Sequence, residues 1–191
     1  MMKVLFKACL LATCLTLVTT AAKAQQRVHA LSGTVTSINP KIGMIEIDTD
    51  DGSSAHFRWL KKADGEIEFD KTVSADAVPA DKFTTKGARV IVYYFGEGDL
   101  RTVVALRDLG DGSVAKSTGT VVKLNRRDHV LIIKNSAGTE ESFHVDPKTV
   151  ADTATGVMEG NKFDLSKGDQ VRVTAVQVSG NATALLIVPA A

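Results

Sequence analysis

The chain has 191 residues, 44% of them hydrophobic and 24% charged, with a formal net charge of +1. That near-neutral balance excludes the basic field that holds nucleic acid, and it gives no strong pull toward anionic lipid. Its two cysteines, Cys9 and Cys14, both fall in an N-terminal leader, so the remainder has no disulfide, thiol nucleophile or thiolate ligand to offer.

The leader runs from Met1 to Ala24. Lys3 and Lys7 supply a basic start, Ala8 to Val18 an apolar core, and Ala22-Lys23-Ala24 a small-residue site, which predicts cleavage between Ala24 and Gln25. The apolar run is well short of the ~20 residues that cross a bilayer. Export across a bacterial membrane is therefore expected, to the periplasm or beyond, with no transmembrane segment in the mature chain. Removing Lys3, Lys7 and Lys23 with the leader leaves 20 basic against 22 acidic residues, a net charge of −2.

After the leader the apolar period is two, the mark of strands. Leu31, Gly33 and Val35 alternate along a first strand that ends near Asn39. Ile45 and Ile47 mark a second strand and Ala55, Phe57 and Trp59 a third. Asp50-Asp51-Gly52 joins them as a hairpin, since glycine accepts the positive φ of a tight turn. Gly33 sits in mid-strand, where glycine otherwise weakens a sheet, and is expected to mark a bulge or bend. An insertion follows at 60–70. A longer connection, Thr72 to Gly87, leads to a fourth strand, Val90 to Phe95, and Glu97-Gly98-Asp99 turns the chain into a fifth, Thr102 to Arg107. The fourth strand is apolar on both faces. Val90, Val92 and Tyr94 point one way, while Ile91, Tyr93 and Phe95 point the other. The latter set is expected to pack beneath the insertion, with Ile67 and Phe69 as partners, or against a second unit, or else to form a ligand or docking face.

A turn-rich linker at 110–115 then introduces a second copy of the same unit. Ser32-Gly33-Thr34-Val35 matches Thr118-Gly119-Thr120-Val121, and the register continues through Ile45/Leu131, Ile47/Ile133, Gly52/Gly138 and Phe57/Phe143. It is lost at the insertion and resumes at Lys71-Thr72-Val73 against Lys148-Thr149-Val150, Lys82-Phe83 against Lys162-Phe163, and Lys86-Gly87 against Lys167-Gly168. The sequence thus predicts an all-β chain of two tandem five-stranded β-barrels from an internal duplication, at 25–109 and 116–191. Three strands, a crossing and a hairpin is the order of the OB-fold; a β-sandwich or an SH3-like barrel also fits. The pattern Gly-Thr-Val-x-x-Ile/Leu-Asn, the apolar hairpin, the Lys-Thr-Val step and Lys-Gly-x-x-Val-x-Val resemble the small OB-like repeats of unknown function found in secreted bacterial proteins. That resemblance covers nearly all of the chain beyond the leader and implies fold and export, with no activity.

Chemistry is sparse. The four histidines, His29, His56, His129 and His144, do not align between the copies and form no short ligand motif. An exported OB-like barrel with His56 and Trp59 also resembles the periplasmic copper-binding OB-fold proteins, in which a pair of methionines follows closely and soft thioethers suit Cu(I). Here no methionine follows, Met44 is the only one nearby, and alternation puts His56 and Trp59 on opposite faces. Asp48, Asp50 and Asp51 lack the spacing of a calcium loop. No nucleophile elbow, phosphate loop or dinucleotide fingerprint is present, and no cofactor is indicated. The leading expectation is a non-enzymatic exported module that binds an envelope protein or small ligand. A metal protein using His56 with Trp59 or Met44, and a hydrolase with unrecognised carboxylates, are the alternatives.

Overall fold

The computed structural model describes residues 26–59, 71–178 and 180–190. The leader with its cleavage point at Ala24 and Gln25, and the insertion with Ile67 and Phe69, lie outside the described residues. Regular structure among them is β, save for single 3-10 turns at Ala80–Lys82, Gly98–Leu100 and Gly160–Lys162. The first half holds β1 (His29–Asn39), β2 (Met44–Thr49), β3 (Ser54–Trp59), β4 (Ala77–Pro79), β5 (Arg89–Phe95) and β6 (Thr102–Asp108). The second holds β7 (Val114–Asn125), β8 (Val130–Asn135), β9 (Glu140–His144), β10 (Val150–Thr153), β11 (Gly156–Glu159), β12 (Gln170–Val178) and β13 (Asn181–Pro189).

Each half is one sheet. The first has the order β3-β2-β1-β5-β6-β4, and the second β11-β10-β13-β12-β7-β8-β9. In both, a parallel pairing links the third strand to the last, Arg58 to Thr102 and Trp59 to Val103 in the first, His144 to Thr183 in the second. Two-residue alternation sends one face of every strand inward. Val35, Ile45, Ile47, Phe57, Val90, Val92 and Leu106 thereby form one buried cluster. Val121, Leu131, Ile133, Phe143, Val171 and Val173 form its counterpart.

Two details differ from the sequence expectation. The connection between the third and fourth strands is not bare loop: it carries β4, which pairs with β6, and in the second half a β10–β11 hairpin that pairs with β13. Short apolar pieces such as Val150-Ala151 find a partner edge there that local periodicity does not announce. The bulges also fall elsewhere than at the mid-strand glycines. Register slips between Val35 and Ser37 on β1, and between Val121 and Lys123 on β7. Gly33 and Gly119 instead stand where β1 and β7 pair on both sides at once. A Cβ there would lie 2.4 Å from the Asp48 carbonyl oxygen, or 2.5 Å from that of Lys134. Close backbone approach, rather than a bulge, is what requires glycine.

A third cluster joins the halves. Val28, Ala30, Val73, Ile91, Tyr93 and Ala105 of the first pack with Val150 and Leu186 of the second. Ile91 and Tyr93 are fully buried, so this face of β5 meets the second sheet and offers nothing at those two side chains to an outside ligand. Phe95 is half-buried at the strand end. The Tyr93 hydroxyl donates to the Val73 carbonyl at 2.7 Å, and burial pushes its phenol up to about 12. Around this apolar patch the Val157 N–H donates to Val28 O at 2.8 Å, and Arg107 Nη1 to Lys148 O at 2.8 Å. Gly156, at φ 107, lets Val28 in, because a Cβ would lie 2.8 Å from its oxygen.

Candidate functional site

At the edge of this shared patch the two sheets leave a cleft of about 210 Å³. The first half lines it from β1 with Ala30 to Ser32, from the β2–β3 turn with Thr49 to Asp51, and with Tyr94 and Arg101. The second half supplies Asp152 on β10, Arg172 and Thr174 on β12, and Leu186 and Val188 on β13. The floor is a cross-sheet hydrogen bond, Ser32 Oγ to Thr174 Oγ1 at 2.9 Å, both residues being buried. Ser32 Oγ also reaches Asp50 Oδ2 at 2.6 Å.

The three carboxylates of the cleft are already engaged. Asp50, its side chain 5% exposed, meets Arg89 Nη2 at 3.1 Å and Lys116 Nζ at 2.7 Å, so one carboxylate ties β5 of the first half to β7 of the second. Asp51 accepts from the Thr49 hydroxyl, and from the Ser53 N–H at 3.0 Å and hydroxyl at 2.7 Å. Those hydrogen bonds hold its carboxyl down to about 2, with a smaller contribution from the charge of Arg172. Asp152 lies 3.0 Å from His29 Nδ1 across the junction. Burial raises its carboxyl above the usual range, while the His29 charge and hydrogen bond oppose the rise.

The cations are less occupied. Arg101 donates from Nε to Gly98 O at 2.9 Å, and its Cζ lies 5.1 Å from the Phe57 ring centroid and 6.0 Å from that of Tyr94. This cation–π seat holds the guanidinium at the cleft wall, and among the described residues its terminal amino groups make no hydrogen bond. Arg172 is half-buried and makes no hydrogen bond or ion pair with another side chain among the described residues.

The residues nominated by sequence lie elsewhere. His56 is exposed on the outer face of β3, with Nδ1 3.4 Å from Glu46 Oε1. Trp59 packs on the inner face against the first cluster, its indole filling the place of a Gly43 side chain. Met44 is half-buried opposite Arg58. The three therefore do not share a face. Asp48 accepts from the Ser54 hydroxyl at 2.7 Å, a partner of its own, while Asp50 and Asp51 keep theirs. Among the described residues no three His, Cys, Asp or Glu side chains converge as a metal centre, and no helix is long and apolar enough to cross a membrane. Sequence reasoning missed the cleft because Arg172 and Asp152 come from the second half and Asp51, Tyr94 and Arg101 from the first. Its one visible signal was that Arg172 stands where the first half has Ile91.

No family model matches the chain, and no curated protein matches it. Among solved structures, silver(I)-bound CusF is similar over 41% of this chain and 99% of its own, at 18% identity and a TM-score of 0.32. An apo-CusF fragment, residues 6–88, from Escherichia coli is similar over 44% of this chain and 94% of its own, at 16% identity and a TM-score of 0.34. Each spans less than half of the present chain, and likeness at that level carries no argument about ligand or activity.

Proposed function

We propose that this chain is an exported, non-enzymatic binding module: two OB-like barrels, arisen by duplication, that hold a small anionic ligand in the cleft between them. The barrel reading is supported by the ring of pairings that returns from the last strand to the third in each half, which is the strand order of an OB-fold. Duplication is supported by irregularities that recur in register. Thr36 and Val122 are the extra residues on β1 and β7, and Val104 and Leu185 those on β6 and β13. Chance likeness between β-rich segments gives no reason for bulges to coincide, since they are built features of a sheet. Export rests on the composition of the leader.

The observation that carries the ligand class is the guanidinium of Arg172, which makes no side-chain hydrogen bond or ion pair among the described residues and faces a cleft whose carboxylates all have partners, its charge reaching Asp51 only at longer range. With Arg101 on the opposite half, two forked donors flank a space sized for a few heavy atoms, and such forks match a carboxylate or phosphate. A metal held by His56 with Trp59 draws no support from their placement on opposite faces of β3; Met44 on β2 shares the His56 face but pairs with Arg58, and the residue that meets His56 there is Glu46.

Thermal unfolding of the purified chain in graded succinate and in graded inorganic phosphate, at constant ionic strength, tests this reading. A rise in Tm that continues with the logarithm of anion concentration is expected with at least one of them, corresponding to a stabilisation of about 2.7 kcal/mol at a hundredfold excess over Kd. The rise is lost in Arg172→Ala and weakened in Arg101→Ala. A flat response to both anions, or an equal response in Arg172→Ala, overturns it.

A further inference from the structure

At the far end of the second sheet lies an open groove of about 530 Å³ lined by Val130, Phe143, His144, Val178 and Asn181, among others. His129 stands beside it. Its ring centroid is 6.2 Å from that of His144, with the planes at 72°. Both residues are exposed.

How the backbone brings these imidazoles together is unusual in two respects. His129 has φ 55, in the left-handed region that few residues other than Gly adopt, Asn, Asp and His being the commonest of them. The first half has a glycine there, Gly43 at φ 65, and the two positions are matched by one backbone hydrogen bond. Trp59 N donates to Gly43 O at 3.0 Å in the first half, and Val145 N to His129 O at 2.8 Å in the second. In the first half the Trp59 indole occupies the place a side chain at Gly43 would need, with Nε1 2.5 Å from a Cβ built there. The second half has Val145 in place of Trp59, which leaves room for an imidazole at 129, and His144 in place of Arg58. Three exchanges at one corner thus turn an indole-filled corner into an open one carrying two imidazoles. The first exchange gives up glycine's freedom at a positive φ, and non-glycine residues in such conformations gather at ligand sites.

We propose that His129 and His144 form a two-imidazole site for a divalent first-row transition ion, with Cu(II) held above Zn(II), and with water completing the coordination. Imidazole suits both metals, and their order follows the general trend of affinity for a nitrogen site. The backbone bond from Val145 to His129 and the pairing of His144 with Val130 and Thr183 fix the main chain beneath both imidazoles, so binding has only the two side chains to order. The site is separate from the inter-sheet cleft, and neither depends on the other.

Titration of the full chain with Zn(II), followed by NMR of the histidine ring signals, and with Cu(II), followed by calorimetry, tests the proposal. One equivalent is expected to bind, to shift the His129 and His144 rings together, and to leave His29 and His56 unmoved. His129→Asn, which keeps a residue tolerant of the left-handed backbone, and His144→Gln should each weaken binding by at least about tenfold, with the metal-free Tm unchanged. Should His129→Asn fold poorly, His144→Gln and the wild-type ring shifts decide the matter alone. Absence of ring shifts at millimolar Zn(II), shifts confined to His29 or His56, or equal affinity in His144→Gln overturns the proposal.

Discussion

Tyr93 sits at the junction of the two halves and is anchored from within its own half. Its ring is buried between them, and its hydroxyl donates to the Val73 carbonyl. Because the neutral phenol is the buried species, its folded pKa, about 12, lies above the ordinary 10.0. The stability this supplies is fully present below pH 10 and is lost as pH rises from 10 to 12. Its size is roughly 2 to 3 kcal/mol, since each pH unit between the two values corresponds to about 1.4 kcal/mol. Denaturant titrations of wild-type and Tyr93→Phe protein at pH 8, 10 and 11.5 check this. The variant should be less stable at pH 8 by about 1 to 2 kcal/mol, for leaving a buried carbonyl short of a donor, and should show a smaller loss across the alkaline range. Asp51 carries the opposite sign at the other end of the scale. Hydrogen bonds hold its carboxyl down to about 2, so its contribution is present above pH 4 and fades as pH falls toward 2.

At the scale of the elements, β1 and β7 each serve two neighbours, and one glycine in each permits the crossing. Gly33→Ala and Gly119→Ala should each lower stability by about 1 to 3 kcal/mol, since the added methyl meets backbone carbonyls that cannot swing aside. Gly112→Ala, with nothing within 4 Å, should stay within about 0.5 kcal/mol of wild type. Comparison of the three variants in urea checks the contrast. The strands themselves were legible because Ile45, Ile47, Phe57, Val90 and Val92 alternate along their strands, and alternation is a local property. The true bulge positions were not, because Thr36 and Val122 are extra only relative to the strands opposite them. The β10–β11 hairpin was missed for a related reason. Its first strand is short and gains its place by parallel pairing with β13, far along the chain.

The whole molecule is more than two units in a row. Ile91 and Tyr93, unaccountable as solvated side chains in the sequence, are covered by Val150 and Leu186 of the other half. The doubly apolar β5 announced that some partner must cover it, but which one is a tertiary matter that periodicity does not encode. The cleft was less legible still. Asp50, Arg101, Asp152 and Arg172 are dispersed along the chain, and only the docking of the sheets assembles them. The binding proposed for the cleft therefore requires the two halves to behave as one body, since the cleft is the product of their contact. Equilibrium unfolding checks this in a single urea titration read by two signals. One is the fluorescence of Trp59, the chain's one tryptophan and a reporter of the first half; the other is far-UV circular dichroism, which reads both halves. If the halves are one body, the two transitions coincide and shift together in Ile91→Ala. A Trp59 transition separated from the dichroism, or one that moves alone in Ile91→Ala, would show that they are not.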